Sequence, residues 1–241
     1  MADVVYPPVI GFARTMFRAL NMKITIEGEE HVPATGGAVI ACNHISYLDF
    51  IFCGLGARKN RRLVRFMAKD SIFRHPIGGP LMRGMHHIPV DRDAGMASYK
   101  AALTALKGGE VVGVFPEATI SQSFMIKDLK SGAARLAAST GTPLVPMVLW
   151  GTQRFWTKGQ PRNLTKRGVA ISIIMGEPLR PQRRDNQDAV TAELRARMTS
   201  MLEKAQRSYP QQPDGPDDTW WLPAHLGGTA PLPAVYESEA Q

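Results

Sequence analysis

His44 and Asp49 lie five residues apart, where an apolar run at 38–41 gives way to Cys42-Asn43-His44-Ile45-Ser46-Tyr47-Leu48-Asp49 and then to an apolar helical pattern. A histidine and a carboxylate so spaced can meet at a strand-to-helix junction. The crevice beyond the strand ends is where α/β sheets tend to place ligands. The carboxylate would hold one imidazole nitrogen, fixing the tautomer and stabilising the imidazolium, while the other nitrogen faces the crevice. Without a serine or cysteine in the triad's nucleophile role, the nucleophile must come from a substrate, most naturally an alcohol. A general base of this kind supplies ~10²–10⁴ in rate. The same spacing also suits a structural hydrogen-bonding pair.

Three further runs could do chemistry. In Val112-Gly113-Val114-Phe115-Pro116-Glu117-Ala118-Thr119-Ile120-Ser121 an apolar strand again ends in a polar turn. Pro116 fixes the backbone, and Glu117 and the Thr119 hydroxyl would leave the strand near the first motif. A loop with a Thr or Ser helix cap is the other reading. His87-Ile88-Pro89-Val90-Asp91-Arg92 is a strand ending in an arginine. Arg92 can hold an anionic head group through bidentate hydrogen bonds, or pair on the surface with Asp91 or Asp93. Val145-Pro146-Met147 places a proline inside a strand, which is expected only at an edge or a bulge.

The elements that must position these residues follow from hydrophobic periodicity. Short apolar runs predict seven strands, at 23–26, 38–41, 65–68, 87–90, 111–115, 144–149 and 170–175. Helical patterns fall between several of them, at 49–55, 95–106 and 131–139, and the clearest helix is 185–207, with Asp185 as its N-cap. This alternation predicts a single α/β domain with a mixed, mostly parallel sheet of about seven strands flanked by helices. Residues 8–20 read as an amphipathic helix, either packed on the domain or lying in a membrane interface with Arg14 and Arg18 snorkelling. The organisation expected is an interfacial helix at 1–22, a main domain at 23–208 and a Pro-rich acidic tail at 209–241. Trp220 and Trp221 would dock part of that irregular tail.

Composition narrows the function classes. The tail has no Lys or Arg and five acids, which leaves a net charge of +13 on the remaining residues of a chain whose total is +8. Anionic lipid, anionic substrate and nucleic acid could each explain a basic body. The basic stretches lack interleaved aromatics, so no nucleic-acid partner is expected. Arg58, Lys59, Arg61, Arg62, Arg65 and Lys69 cluster within twelve residues, as a solvated face or as a surface for an anionic membrane or a phosphate-bearing donor. Cys42 and Cys53 have no metal-ligand spacing and fit a reducing compartment. The sequence shows no secretory signal and no run long enough to span a bilayer. The expected location is therefore cytoplasmic, bound peripherally to the inner face of the membrane.

Taken in order, these blocks resemble the glycerolipid acyltransferases of the 1-acylglycerol-3-phosphate acyltransferase type. Asn43-His44 with Asp49 matches that family's Asn-His-x4-Asp block. The run ending in Arg92 looks like its second block, Phe115 to Ser121 like its Phe-Pro-Glu-Gly-Thr-Arg-Ser block, and Val145-Pro146 like its fourth. Phe66-Met67-Ala68-Lys69 and Lys130-Ser131-Gly132-Ala133-Ala134-Arg135 also look familial. The resemblance implies transfer of an acyl chain from acyl-CoA or acyl carrier protein to a lysophospholipid-type hydroxyl, with no cofactor and no metal. It implies His44 as base and Asp49 as its orienting partner. Asn43, Ser46, Lys69, Arg92, Glu117, Thr119 and Lys130 would line the substrate site, with an apolar tunnel for the acyl chain opening nearby. Two departures stand out: Ala118 replaces the usual glycine and Ile120 the usual arginine. Alanine resists a positive φ, and isoleucine removes a charged donor from the expected phosphate site. A catalytically altered lipid-binding protein, or an acceptor other than phosphatidate precursors, is the alternative they raise.

Overall fold

The computed structural model describes residues 3–91 and 95–233. Among these residues seven strands form one sheet: β1 (Lys23–Glu27), β2 (Ala38–Cys42), β3 (Val64–Lys69), β4 (Ile88–Val90), β5 (Val111–Val114), β6 (Leu144–Trp150) and β7 (Ala170–Met175). Their order is β1-β7-β6-β2-β5-β3-β4, and only the β6–β7 pairing is antiparallel. The helices are α1 (Tyr6–Ala19), α2 (Asp49–Gly56), α3 (Asp70–Phe73), α4 (Gly78–Gly84), α5 (Gly95–Lys107), α6 (Gly132–Thr140) and α7 (Gln187–Arg207). The expected strands and longer helices are all present, with ends shifted by one or two residues.

The central strand shows why the sheet is covered on both faces. Every residue of Ala-Val-Ile-Ala-Cys in β2 is buried, as parallel strands between two helical layers require. Val39 and Ala41 pack with Ala102 of α5, Leu136 of α6 and Leu202 of α7. Ala38, Ile40 and Cys42 pack with Phe17 of α1 and Phe52 of α2. The period of two along the strand thus sorts its side chains between two cores. Because β2 and β5 are adjacent and parallel, their C-terminal ends open at one edge, with α2 leaving toward one face and α6 toward the other. That divergence creates the crevice.

Two local details, the cap of α7 and the start of α1, differ from expectation, and a third, Pro146, meets the bulge expected of it. Pro146 lies in an interior strand, not an edge. Its carbonyl accepts from Gly176, between the Met147–Met175 pair and the isolated Leu144–Leu179 bridge. The partner segment carries one residue more over this interval, so a bulge lies opposite the proline, where its missing N–H is tolerated. Helix α7 is capped by Asn186 rather than Asp185: the Asn186 side chain accepts from the N–H groups of Asp188 and Ala189, and Asp185 is engaged with Gln182. Helix α1 begins at Tyr6, with Pro7 and Pro8 in its first turn, where prolines are pre-organised for a helix start.

Helix α1 is fastened to the body. The Tyr6 hydroxyl donates to the Val64 carbonyl at 2.7 Å, and Phe17 stacks on Phe52 at 5.1 Å. Phe12 points outward and is 73% exposed. The tail winds through two short 3-10 turns and buries Trp221 completely. The Trp221 indole N–H donates to Asp218, and Arg154 lies 4.3 Å over its ring. Among the described residues no helix is long and apolar enough to cross a membrane.

Candidate active site

Asp49 opens α2 and is fully buried. Its Oδ2 accepts from the backbone N–H groups of Ile45 and Ser46, both at 2.7 Å, and faces Nδ1 of His44 at 3.0 Å. Its Oδ1 accepts from the Thr152 hydroxyl at 2.6 Å. The negative charge also sits at a helix N-terminus, where the peptide dipoles favour it. With Nδ1 committed to the carboxylate, Nε2 is the imidazole nitrogen left for proton transfer. The His44 side chain is 21% exposed, and its ring stacks on Phe115 with centroids 4.4 Å apart.

Phe115 is itself held by a row of rings. It stacks on Phe66 at 6.0 Å, and Phe66 meets Phe50 edge-on at 6.2 Å. This row needs a glycine: a Cβ on Gly113 would lie 2.6 Å from the Phe66 ring. Phe50 also lines a cavity of about 430 Å³ bordered by α1, α2 and the start of β3. Phe17, Ile51, Leu55 and Val64 supply apolar wall, while Arg14, Arg58 and Arg61 also border it.

The third block meets the first directly. The His44 N–H donates to Glu117 at 2.9 Å, and the Ser121 N–H donates to the His44 carbonyl at 2.7 Å. The second Glu117 oxygen accepts from the Lys127 N–H. Thr119 is exposed, and Lys127 Nζ donates to its hydroxyl at 2.5 Å.

The other expected site residues are distributed unevenly. Asn43 is fully buried and bridges β2 to β6, donating to the Leu149 carbonyl and accepting from the Leu149 N–H. Ser46 is buried and donates to the Trp156 carbonyl. Lys69 ends β3 exposed. Lys130 is exposed, with its N–H donated to Pro116. Arg92 falls outside the described residues. Within the basic cluster, Arg65 is buried against Asp3 and Glu110, and Arg62 donates to the carbonyls of Pro33, Gly36 and Gly109. Those two arginines brace the fold. Sequence reading missed Phe115 as the stacking partner of His44, and Thr152. Spacing carries no signal for a partner 103 residues from Asp49.

The chain that carries this dyad has known relatives. The acyltransferase family model matches residues 23–150. The chain belongs to the acyltransferase family. The 1-acyl-sn-glycerol-3-phosphate acyltransferase of Bacillus subtilis (strain 168) is 33% identical over 162 residues, 67% of this chain and 76% of that protein. The chloroplastic 1-acyl-sn-glycerol-3-phosphate acyltransferase LPAT1 of Arabidopsis thaliana is 35% identical over 155 residues, 63% of this chain and 42% of its own length. The crystal structure of the 1-acyl-sn-glycerophosphate (LPA) acyltransferase PlsC from Thermotoga maritima shares the fold. It superposes with a TM-score of 0.70 at 20% identity, covering 85% of this chain and 81% of that one.

In this acyltransferase the two departures in the third block have physical consequences. Ala118 has φ 61°, the left-handed conformation that a glycine would take without strain. Hydrogen bonds on both sides impose it: Ala118 N–H to Phe115, and Thr119 N–H to Glu117. Because its methyl group is exposed, Ala118→Gly should stabilise the protein by about 1 kcal/mol, the strain relieved less the added unfolded-state entropy. Urea unfolding checks this; an unchanged or lower midpoint would show that the strain at Ala118 is no larger than the entropy glycine adds to the unfolded chain. Ile120 is buried, 8% exposed, so the position is filled by packing. Lys127, held on Thr119, brings a cation to this block.

Burial pushes the Glu117 carboxyl up to about 7, against the lowering effect of its two backbone donors. The folded protein then keeps a proton that the unfolded chain, near 4.5, releases. Stability from this group is full below pH 4.5 and falls as pH rises to 7, by about 3 kcal/mol in all. His87 acts oppositely. Burial drives it down to about 4, so its contribution falls as pH drops from 6.5 to 4. Wild type should therefore be nearly level between pH 4.5 and 6.5, and Glu117→Gln should climb across that window. Parallel curves for the two proteins would mean that Glu117 is ionised throughout.

The two cysteines are free and buried. Among the described residues no group of His, Cys, Asp and Glu could hold a metal ion.

Proposed function

We propose that this acyltransferase moves a fatty acyl chain from the thioester of acyl-CoA or acyl carrier protein to the hydroxyl of a lysophospholipid-type acceptor. The observation that carries the reading is the His44–Asp49 pair at the ends of the central strands, with Nδ1 held at 3.0 Å by a carboxylate that three other donors fix in place. His44 Nε2 takes the acceptor's hydroxyl proton as its oxygen attacks the thioester carbonyl. The tetrahedral intermediate collapses, the C–S bond breaks, and the departing thiolate takes the proton from the imidazolium. Asp49 stabilises that imidazolium through the interval. The thioester is already activated, so the step runs on side chains alone, with no cofactor.

The named activity of the Bacillus subtilis relative supports 1-acylglycerol-3-phosphate as the acceptor. Lys127 beside Thr119 would meet its phosphate in place of the arginine absent at Ile120. The cavity bordered by Phe50, at the far end of the ring row from His44, would take the acyl chain. Thiol release from palmitoyl-CoA and from palmitoyl carrier protein, with a panel of lysophospholipids and products read by mass spectrometry, tests the reaction. Absence of acylated product from every pairing, with well-folded protein, would leave lipid binding as the function.

The reaction would take place on the inner face of a membrane. Besides the inward-turned Arg62 and Arg65, residues 57–90 hold six Lys and Arg against Asp70 alone. The same segment exposes Ile72, Ile77 at 72%, and Leu81. Val5, at the start of α1, packs against Gly84 of α4, so exposed Phe12 lies on an element joined to this one. Anionic lipid would attract the cations at about 1 kcal/mol each, and the apolar side chains would enter the interface. Wild type is expected to sediment with phosphatidylglycerol vesicles, less so in high salt. Replacing both Phe12 and Ile77 with Asp should weaken binding roughly tenfold or more. Undiminished binding by that variant would place the docking face elsewhere.

A further inference from the structure

We infer that Thr152 is a positioning residue for acyl transfer: by donating to Asp49 Oδ1 it sets the charge that the carboxylate presents to His44. The inference rests on His44 as the base. The family match ends at residue 150, so Thr152 lies just beyond the segment that carries the recognisable blocks.

The geometry is specific. Asp49 Oδ2 is shared by three donors, whereas Thr152 supplies the donor recorded on Oδ1, at 2.6 Å with both residues fully buried. Thr152 follows Gly151, whose φ of +99° and close approach to β7 require a glycine: a Cβ there would lie 2.2 Å from the Ala170 carbonyl oxygen. The strand β6 thereby turns sharply and delivers the hydroxyl to Asp49.

The loop that follows holds the rest of the histidine loop. The Trp156 carbonyl accepts from the Ser46 hydroxyl at 2.7 Å and from the Tyr47 N–H at 3.1 Å, and the Thr157 hydroxyl donates to the Ile45 carbonyl at 2.7 Å. The tail secures this loop from behind. Gln153 donates to the Trp221 carbonyl, and Arg154 donates to Gln211 at 2.8 Å while stacking over Trp221. A chain of buried contacts thus runs from the tail through residues 152–157 to the two sides of the dyad.

The ionisable groups around His44 are Asp49 on its Nδ1, Glu117 on its backbone N–H, and Lys127 beside Glu117. Thr152 draws off part of the Asp49 charge through a charge-assisted hydrogen bond. Thr152→Val keeps the shape and removes that donor, while the three Oδ2 donors keep the carboxylate in place. The full charge then falls on the pair and favours the imidazolium.

The test compares wild type, Thr152→Val and Thr152→Ser in acyl transfer across pH. In the valine variant the acid limb of the rate profile should move up by about one pH unit, so that kcat on that limb falls about tenfold while the plateau and KM stay within twofold. Serine should restore both. NMR titration of the His44 ring in the same proteins should move the same way and needs no turnover. A valine variant with an unmoved limb and an unmoved ring titration, or a serine variant no better than valine, would overturn the role of Thr152. Failure of the base assignment would appear separately, as undiminished acyl transfer by His44→Ala.

Discussion

His44→Ala is expected to lower acyl transfer by ~10²–10⁴ while leaving the fold nearly as stable as wild type. The structure separates the two effects. Removing the imidazole takes away one of four donors on Asp49, and the carboxylate remains bonded to Ile45, Ser46 and Thr152. The backbone of residue 44 keeps its bonds to Glu117 and Ser121. The lost ring contact with Phe115 lies at a part-exposed position. Product formation under single-turnover conditions, beside thermal melting by circular dichroism, measures both quantities. An alanine variant that turns over within a few-fold of wild type would remove His44 from the mechanism.

Asp49→Asn should cost about two orders of magnitude in kcat, and the reason is charge rather than shape. The amide can be accommodated. Its oxygen can take the Oδ2 position, accepting from His44, Ile45 and Ser46. Its NH2 then faces the Thr152 hydroxyl, which can rotate to accept. The His44 tautomer is thereby preserved, so the variant isolates the negative charge that stabilises the imidazolium. Combining it with His44→Ala should add little to the alanine effect, because the two residues act as one unit. Full additivity in the double variant would show that Asp49 acts independently of His44.

Much of the site was legible because its motif sits at a junction that sequence patterns mark well. The apolar run of β2 followed by Asn43-His44 and Asp49 is local, and local geometry makes His44 and Asp49 meet. The polar turn after β5 was legible in the same way, and the order of the sheet brings Glu117 to the His44 backbone as the sequence implied. Its role differs from a surface contact: Glu117 is buried and ties two loops together. Asn43 likewise looks like a substrate contact in sequence, yet it clamps Leu149, because only the pairing of β2 with β6 brings that backbone alongside.

By itself the sequence determined the strands, the longer helices, the dyad and the family, since each depends on periodicity or on spacing over a few residues. It also determined that Ala118 would be strained if the turn kept its usual form, and at φ 61° it is. Tertiary structure alone decided that Arg62 and Arg65 turn inward. It also set a bulge opposite Pro146, and Phe115, Phe66 and Phe50 as a row leading from His44 to a cavity. It brought Thr152, 103 residues along the chain, against Asp49. These depend on which strands become neighbours, and that is settled by how both faces of the sheet bury their side chains together, not by any one segment.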